Sequence, residues 1–220
     1  YGGEGELAQS VTRWREYFES QARVWEMQAF LKARPVAGDL AAGRTAVEQI
    51  EALVFRRAAG ADLGREVAQT KEKLERQAAL RPGVDIKNGP GGLTAIQFAI
   101  QYLQLRHGIA SPTHKRTTRV LATLRAAGAL DEEAYRTFFT GYRFLRRLEH
   151  RIRLIHGRAL SSLPASGDAL EELARSMGGA QDAGKASGRL LEEVALRMAR
   201  IEETYRRVIE RSPRVESVGV

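Results

Sequence analysis

Residues 85–98, DIKNGPGGLTAIQF, set an acid, a lysine and three glycines around one proline and then pass directly into an apolar, helix-like run. Gly89, Gly91 and Gly92 permit positive φ angles and close backbone approach, Pro90 stiffens the turn, and a helix starting just beyond would aim its free amides back at the loop. Such an arrangement suits an anion. Lys87 can supply positive charge, and Asp85 can hold Lys87, accept from a hydroxyl or help bind a cation. The same residues also suffice for a tight connection between helices, and the local sequence leaves both readings open.

Other constellations that carry chemistry are missing. The histidines at 107, 114, 150 and 156 have no HExxH-type spacing, and the six-residue step from His150 to His156 does not place two imidazoles on one helix face. Each is read as structural or solvent-facing. There is no GxSxG elbow, and GxxxxGK[ST] is absent, so a P-loop is excluded. With no cysteine in 220 residues, disulfides and thiolate metal sites are excluded too, which fits a reducing compartment. No catalytic residue and no metal ligand is nominated.

The elements that must position the loop are almost all helical. A glycine-rich turn and a short strand candidate, Glu6 to Ser10, come first and read like the interior of a longer polypeptide. Ser10 then caps a helix expected to run through Arg34, with Trp14, Tyr17, Phe18, Trp25 and Phe30 at three- and four-residue steps and Pro35 as its stop. Asp39 opens a helix to Arg57, and Asp62 one to about Leu80. After the glycine loop, Thr94 and Gln97 fit a capping box for a helix from about Ala95 to His107. Another is expected from His114 to Ala127. Asp131 caps the longest regular run, 131–157, with acids in its first turn and bases near its end, as the macrodipole favours. A short helix over 168–177 and a long one to Arg211 complete the chain, and 212–220 read as a tail.

The formal charge of +8 is concentrated. Between Lys115 and Arg158 there are eleven Lys/Arg against four acids, a local +7. On a helical projection, Ala134, Phe138, Phe144, Leu145, Leu148, Ile152 and Ile155 share one arc, and Arg136, Arg143, Arg146, Arg147, His150, Arg151 and Arg153 the other. The basic arc reads either as a solvated face, with Glu149 paired to Arg153, or as a track for phosphates or an acidic protein surface. Arg143, Arg147 and Arg151 are its candidate partner-binding residues. No aromatic residues interleave with these arginines, so nucleic-acid binding is disfavoured. A hydrophobic content of 43% is enough for a sizeable core. No apolar run approaches the roughly 18 residues of a membrane span, and no signal peptide is visible, so the expected location is the cytoplasm.

Five ordered blocks carry a resemblance. DIKNGPGGLTAIQFAIQYLQLRHG resembles the DIKxGxGGxxxIEF…Q signature of the bacterial glutamine-synthetase adenylyltransferases, which are related to the uridylyltransferase that modifies the PII signal protein. YGGEGELAQSVTRWREYF and WEMQAFLKARPVAGD resemble the strand leaving that family's nucleotidyltransferase palm and its WExxALxxARPVAGD block. YRFLRRLEHRIRL and SSLPASGDALEELARSMG resemble two later segments, so the likeness covers residues 1 to about 178.

The resemblance implies an all-α multi-helix bundle with a short N-terminal strand remnant of the palm. Its parts would be the palm's end and a linking helix (1–38), the bundle (39–212) and a tail (213–220). It implies an enzyme that uses ATP and Mg²⁺ to place AMP on a tyrosine of glutamine synthetase, or that removes it, with the PII protein as a further partner. The carboxylates of that chemistry would precede this sequence, leaving the chain by itself inactive and without a tightly bound cofactor. Glu4 and Glu6 read as strand-edge residues, not replacements. Asp85, Lys87, Gly89, Gly91, Gly92 and Arg34 become the candidate nucleotide- or anion-binding residues, although Arg34 also suits capping of helix carbonyls. Two positions depart from the pattern: Gln97 stands where the family commonly has Glu, and Ala95 where an acid is usual. Glu149 and His150 are candidates for a buried polar network.

Overall fold

A computed structural model describes residues 8–110, 116–156, 161–164, 166–178 and 183–210. Among them the chain is all-α, with nine helices and one two-stranded ribbon. The expected strand at 6–10 lies partly outside the described residues, and its described part, 8–10, is not strand.

The first expected helix is two: α1 (Val11–Ser20) and α2 (Val24–Phe30). Ser10 caps α1 as anticipated, its hydroxyl accepting from Arg13 N at 3.2 Å. The break at 21–23 is held by Glu26, whose carboxylate accepts from Arg23 N (2.8 Å) and from the Tyr17 hydroxyl (2.5 Å). One side chain therefore starts α2 and ties it to α1, which favours a corner over continuation. Trp14, Phe18 and Phe30 pack edge-on across that corner with ring centroids 5.0–6.0 Å apart.

Asp39 caps α3 (Leu40–Ala59) and Asp62 caps α4 (Leu63–Ala79), both near their expected bounds. Next comes β1 (Val84–Asp85), then α5 (Leu93–His107), ended by the left-handed Gly108. The remaining helices are α6 (Thr117–Ala126), α7 (Glu132–His156), α8 (Asp168–Ser176) and α9 (Ala183–Glu210). Asp131 accepts from Ala134 N at 2.8 Å, as a cap of α7 should.

Between α7 and α8 lies β2 (Ser162–Leu163), antiparallel to β1 with Val84 opposite Leu163. The helical periodicity gave no hint of this ribbon. Gly83, at φ 83°, allows the approach: a Cβ there would sit 2.4 Å from Leu163 O.

Helix α5 is buried on nearly all sides, from Leu93 to Leu105, so it is the central stave around which the others pack. The expected arc of α7 is the buried one: Ala134, Phe138, Leu145, Leu148 and Ile152 are fully covered. Gly141 lets α7 and α9 approach, since a Cβ there would lie 2.7 Å from Ile201 Cδ1. No described helix is long and apolar enough to cross a membrane.

Candidate functional site

The glycine loop joins β1 to the N-terminus of α5 and is closed on itself by main-chain bonds. Gly89 N donates to Asp85 O, Gly92 N to Gly89 O, Leu93 N to Ile86 O and Thr94 N to Lys87 O, all at 2.9–3.0 Å. Asp85 is buried, and its Oδ1 accepts from the backbone amides of Lys87 and Asn88, each at 2.9 Å. It thus holds the lysine's main chain, not its ammonium. Asp85 Oδ2 is buried without a hydrogen bond, 4.0 Å from Arg81 Nη1.

The start of α5 differs from the capping-box expectation. Gly92 is the N-cap, Thr94 Oγ1 donates to Asn88 Oδ1 at 2.8 Å, and Gln97 meets Lys32 in the turn after α2. The extended Gly92 backbone starts α5 two residues earlier than the sequence pattern indicates, which moves Thr94 inside the first turn.

The Gly91 amide reaches out of the loop to α9, donating to Glu202 Oε2 at 2.8 Å. The anion received by this glycine corner is therefore a carboxylate of the same chain. Gly91 has φ 67°, and a Cβ on it would lie 1.8 Å from Met198 O, so only glycine fits against α9. Lys71 of α4, itself buried, donates to both Glu202 oxygens (2.8 and 3.0 Å), pairs with Glu75 and lies 4.5 Å over the Tyr205 ring. Arg206 adds a bond to Glu202 at 3.1 Å. Burial pushes the Glu202 carboxyl up, but bonds from Lys71, Gly91 and Arg206 outweigh it and hold the group below its ordinary value. Burial, with Glu202 next, pushes the Tyr205 phenol well above its usual range.

Motifs and composition did not single out Glu202, Lys71 or Glu75, and only the Lys71–Glu75 spacing of four residues hints at a pair. Their meeting with Glu202 depends on how α4 and α9 pack. An open groove of about 860 Å³ runs beside this junction, with Val84, Pro90, Met198, Glu202 and Arg206 in its lining.

Lys87 is exposed on the loop, with Lys32, in the turn after α2, close enough for the two charges to repel. Lys32 Nζ donates to Gln97 Oε1 at 3.3 Å. Arg34 is exposed in the turn after α2 and bonds to no described residue, so it caps no described carbonyl. Asp85, Lys87 and the three glycines thus form one unit, with Arg34 two residues beyond Lys32 on the neighbouring stretch of chain.

On α7, Glu149 is buried and paired with both Arg146 and Arg153, whereas His150 is exposed, so the expected polar network contains Glu149 alone and stays within its own helix. Arg136 pairs with Glu132. Arg143, Arg147 and Arg151 meet no described carboxylate, and Arg143 lies 5.7 Å over the Phe139 ring. His107 is exposed at the end of α5, and His114 lies outside the described residues.

A helical body whose central stave begins at a glycine-cornered, internally pinned loop defines the class of module; comparison with known proteins then gives the family. The family model described as GlnD PII-uridylyltransferase matches residues 62–209, and that of glutamate-ammonia ligase adenylyltransferase matches residues 1–49. A bifunctional glutamine synthetase adenylyltransferase/adenylyl-removing enzyme of Xanthomonas axonopodis pv. citri is 34% identical over the whole chain, which covers 23% of that protein. The enzyme of the same description from Streptomyces avermitilis is 36% identical over 80% of the chain and 18% of its own length. The chain belongs to the glutamine-synthetase adenylyltransferase family, which shares this helical region with the PII uridylyltransferases. It spans about a fifth of the length of the curated relatives it matches.

Proposed function

We propose that this chain is the helical module that closes over nucleotide or protein substrate in a glutamine-synthetase adenylyltransferase-like enzyme, acting in the cytoplasm to place AMP on, or remove it from, a protein tyrosine. Glutamine synthetase is the protein substrate in this reading, and the PII protein a regulator. ATP and Mg²⁺ are handled with carboxylates outside these residues, and the chain alone is inactive. Its own residues do not fit Mg²⁺: Asp85 Oδ1 is engaged by two amides, positions 95 and 97 are Ala and Gln, and no three of Asp, Glu and His converge among the described residues.

The observation that carries the reading is Lys87, an exposed cation without a described carboxylate partner on a loop fixed by main-chain bonds. Asp85, Gly89, Gly91 and Gly92 serve by shaping that loop, Lys87 offers charge to the nucleotide, and Arg34, two residues beyond Lys32, is the second candidate cation. In the full-length parent enzyme, Lys87→Ala should weaken ATP binding without lowering the melting temperature. Unchanged affinity by calorimetry removes Lys87 from the site.

A second reading is a noncatalytic regulatory module whose basic ridge docks an acidic partner. The row Arg143, Arg147 and Arg151 favours it, being unneutralised while Arg136, Arg146 and Arg153 beside it are paired. Reversing all three to Glu should abolish salt-sensitive binding of such a partner; binding that persists with the same salt dependence leaves the ridge merely solvated.

A further inference from the structure

Lys32, just past α2, reaches Gln97 in the first turns of α5, and Lys87 of the glycine loop accepts at its carbonyl from Thr94 N of the same turns, so the two lysines flank one helix start. Neither Lys32 nor Lys87 has a carboxylate partner among the described residues. Lys32 instead leans on Gln97, donating to its Oε1 at 3.3 Å. That contact leaves the two Nε2 hydrogens of Gln97 without a described acceptor. Lys32, Lys87 and the Gln97 amide together offer donors with no described carboxylate among them.

Partial burial of the ammonium, and then repulsion from Lys87, hold the Lys32 pKa below the ordinary lysine value. An anion placed against both groups would relieve that repulsion. Beside Lys32 and Gln97 lies a small cavity of about 30 Å³, bordered by Gln101 and Gln104 on its polar part and by Leu31, Ile100 and Val120 on the rest. Gln28, also buried, reaches Gln101 at 3.4 Å and keeps its own Oε1 unpartnered.

We propose that Lys32, Lys87 and the Gln97 amide form a clamp for a phosphate-type oxyanion, of which the polyphosphate chain of a nucleotide is the class that matches two separated cations. This rests on the nucleotide-closing reading above and adds two residues to it. Neutral Gln97 is central: a carboxylate at that position would pair with Lys32 and repel the ligand.

The test is titration of the chain with inorganic tripolyphosphate at low salt, by calorimetry, with circular dichroism melts as a folding control. Lys32→Ala and Lys87→Ala should each weaken binding by about tenfold or more, the size of one charge-assisted contact. Gln97→Glu should weaken it as strongly while retaining the fold, and Lys73→Ala, on the exposed face of α4, should change nothing. No measurable tripolyphosphate binding, or Gln97→Glu binding as tightly as the parent, overturns the clamp. If Lys87→Ala weakens binding and Lys32→Ala does not, the clamp fails and the Lys87 reading stands. If both variants weaken tripolyphosphate binding but the full-length enzyme carrying them binds ATP normally, the clamp stands and the nucleotide-closing reading fails.

Discussion

Replacing Lys71 by Met tests whether α9 is latched to the glycine loop through a buried charge cluster. The Lys71 side chain is 5% exposed and those of Glu202 and Glu75 are 13% and 21% exposed, so deletion of the cation leaves two carboxylates facing each other with little water. Breaking a buried pair by removing one partner costs roughly 3–5 kcal/mol. Here Glu202 keeps Gly91 N and Arg206, and Glu75 retains partial hydration, so the lower end, about 3 kcal/mol, is expected. For a chain of this size that corresponds to a melting-temperature drop of about 6–12 °C. The pH dependence has a definite sign. Because Glu202 is held below its ordinary value of 4.5, its contribution is fully present above that pH and is lost as pH falls below it. Lys71→Met removes the main stabiliser of the ionised form, so the gap between parent and variant should be wide at pH 7 and should narrow below about pH 4.5. Scanning calorimetry across that range checks both statements. A drop under about 2 °C at neutral pH, or a gap that does not close in acid, would refute the latch.

Two further substitutions probe the same architecture. Gly91→Ala must adopt φ 67° and place a methyl 1.8 Å from Met198 O, so either the loop or α9 shifts; a loss of roughly 3 kcal/mol or more is expected in urea unfolding, and a loss under about 1 would show that the contact is soft. Phe138→Ala at the fully buried centre of the α7 arc should cost about 3–5 kcal/mol, with near-wild-type stability contradicting the assigned core face.

Helix identity was legible because it depends on local chemistry: Ser10, Asp39, Asp62 and Asp131 all cap where their side chains indicated, and the α7 arc separates as its spacing required. The corner at 21–23 was not, because the aromatic spacing from Trp14 to Phe30 is compatible with one helix and the break is set by a single tertiary choice, Glu26 accepting from Tyr17 rather than facing water. The ribbon of β1 and β2 was illegible for a related reason. Two-residue strands carry no periodicity, and Val84 meets Leu163 only after α5, α6 and α7 have brought them together. Within the loop, Asp85, Lys87 and the glycines were visible as a group, yet what each does there was not: Asp85 binds amides, and the Gly91 amide is taken by a residue 111 positions away.

That division of labour bears on how the module can respond to a ligand. The inner side of the loop is fastened to α9 by Gly91–Glu202 and to β2 by main-chain pairing, while its outer side carries Lys87 beside Lys32. Because the backbone between the two sides is only a few residues long and internally bonded, it transmits position with little slack. A ligand drawn to the lysines would therefore meet a corner whose geometry is already set, and would lose little affinity to ordering it. If the latch governs that preorganisation, Lys71→Met should weaken tripolyphosphate binding although Lys71 belongs to the opposite side of the loop. Equal affinity in a folded Lys71→Met variant would show that the outer corner holds its shape without α9.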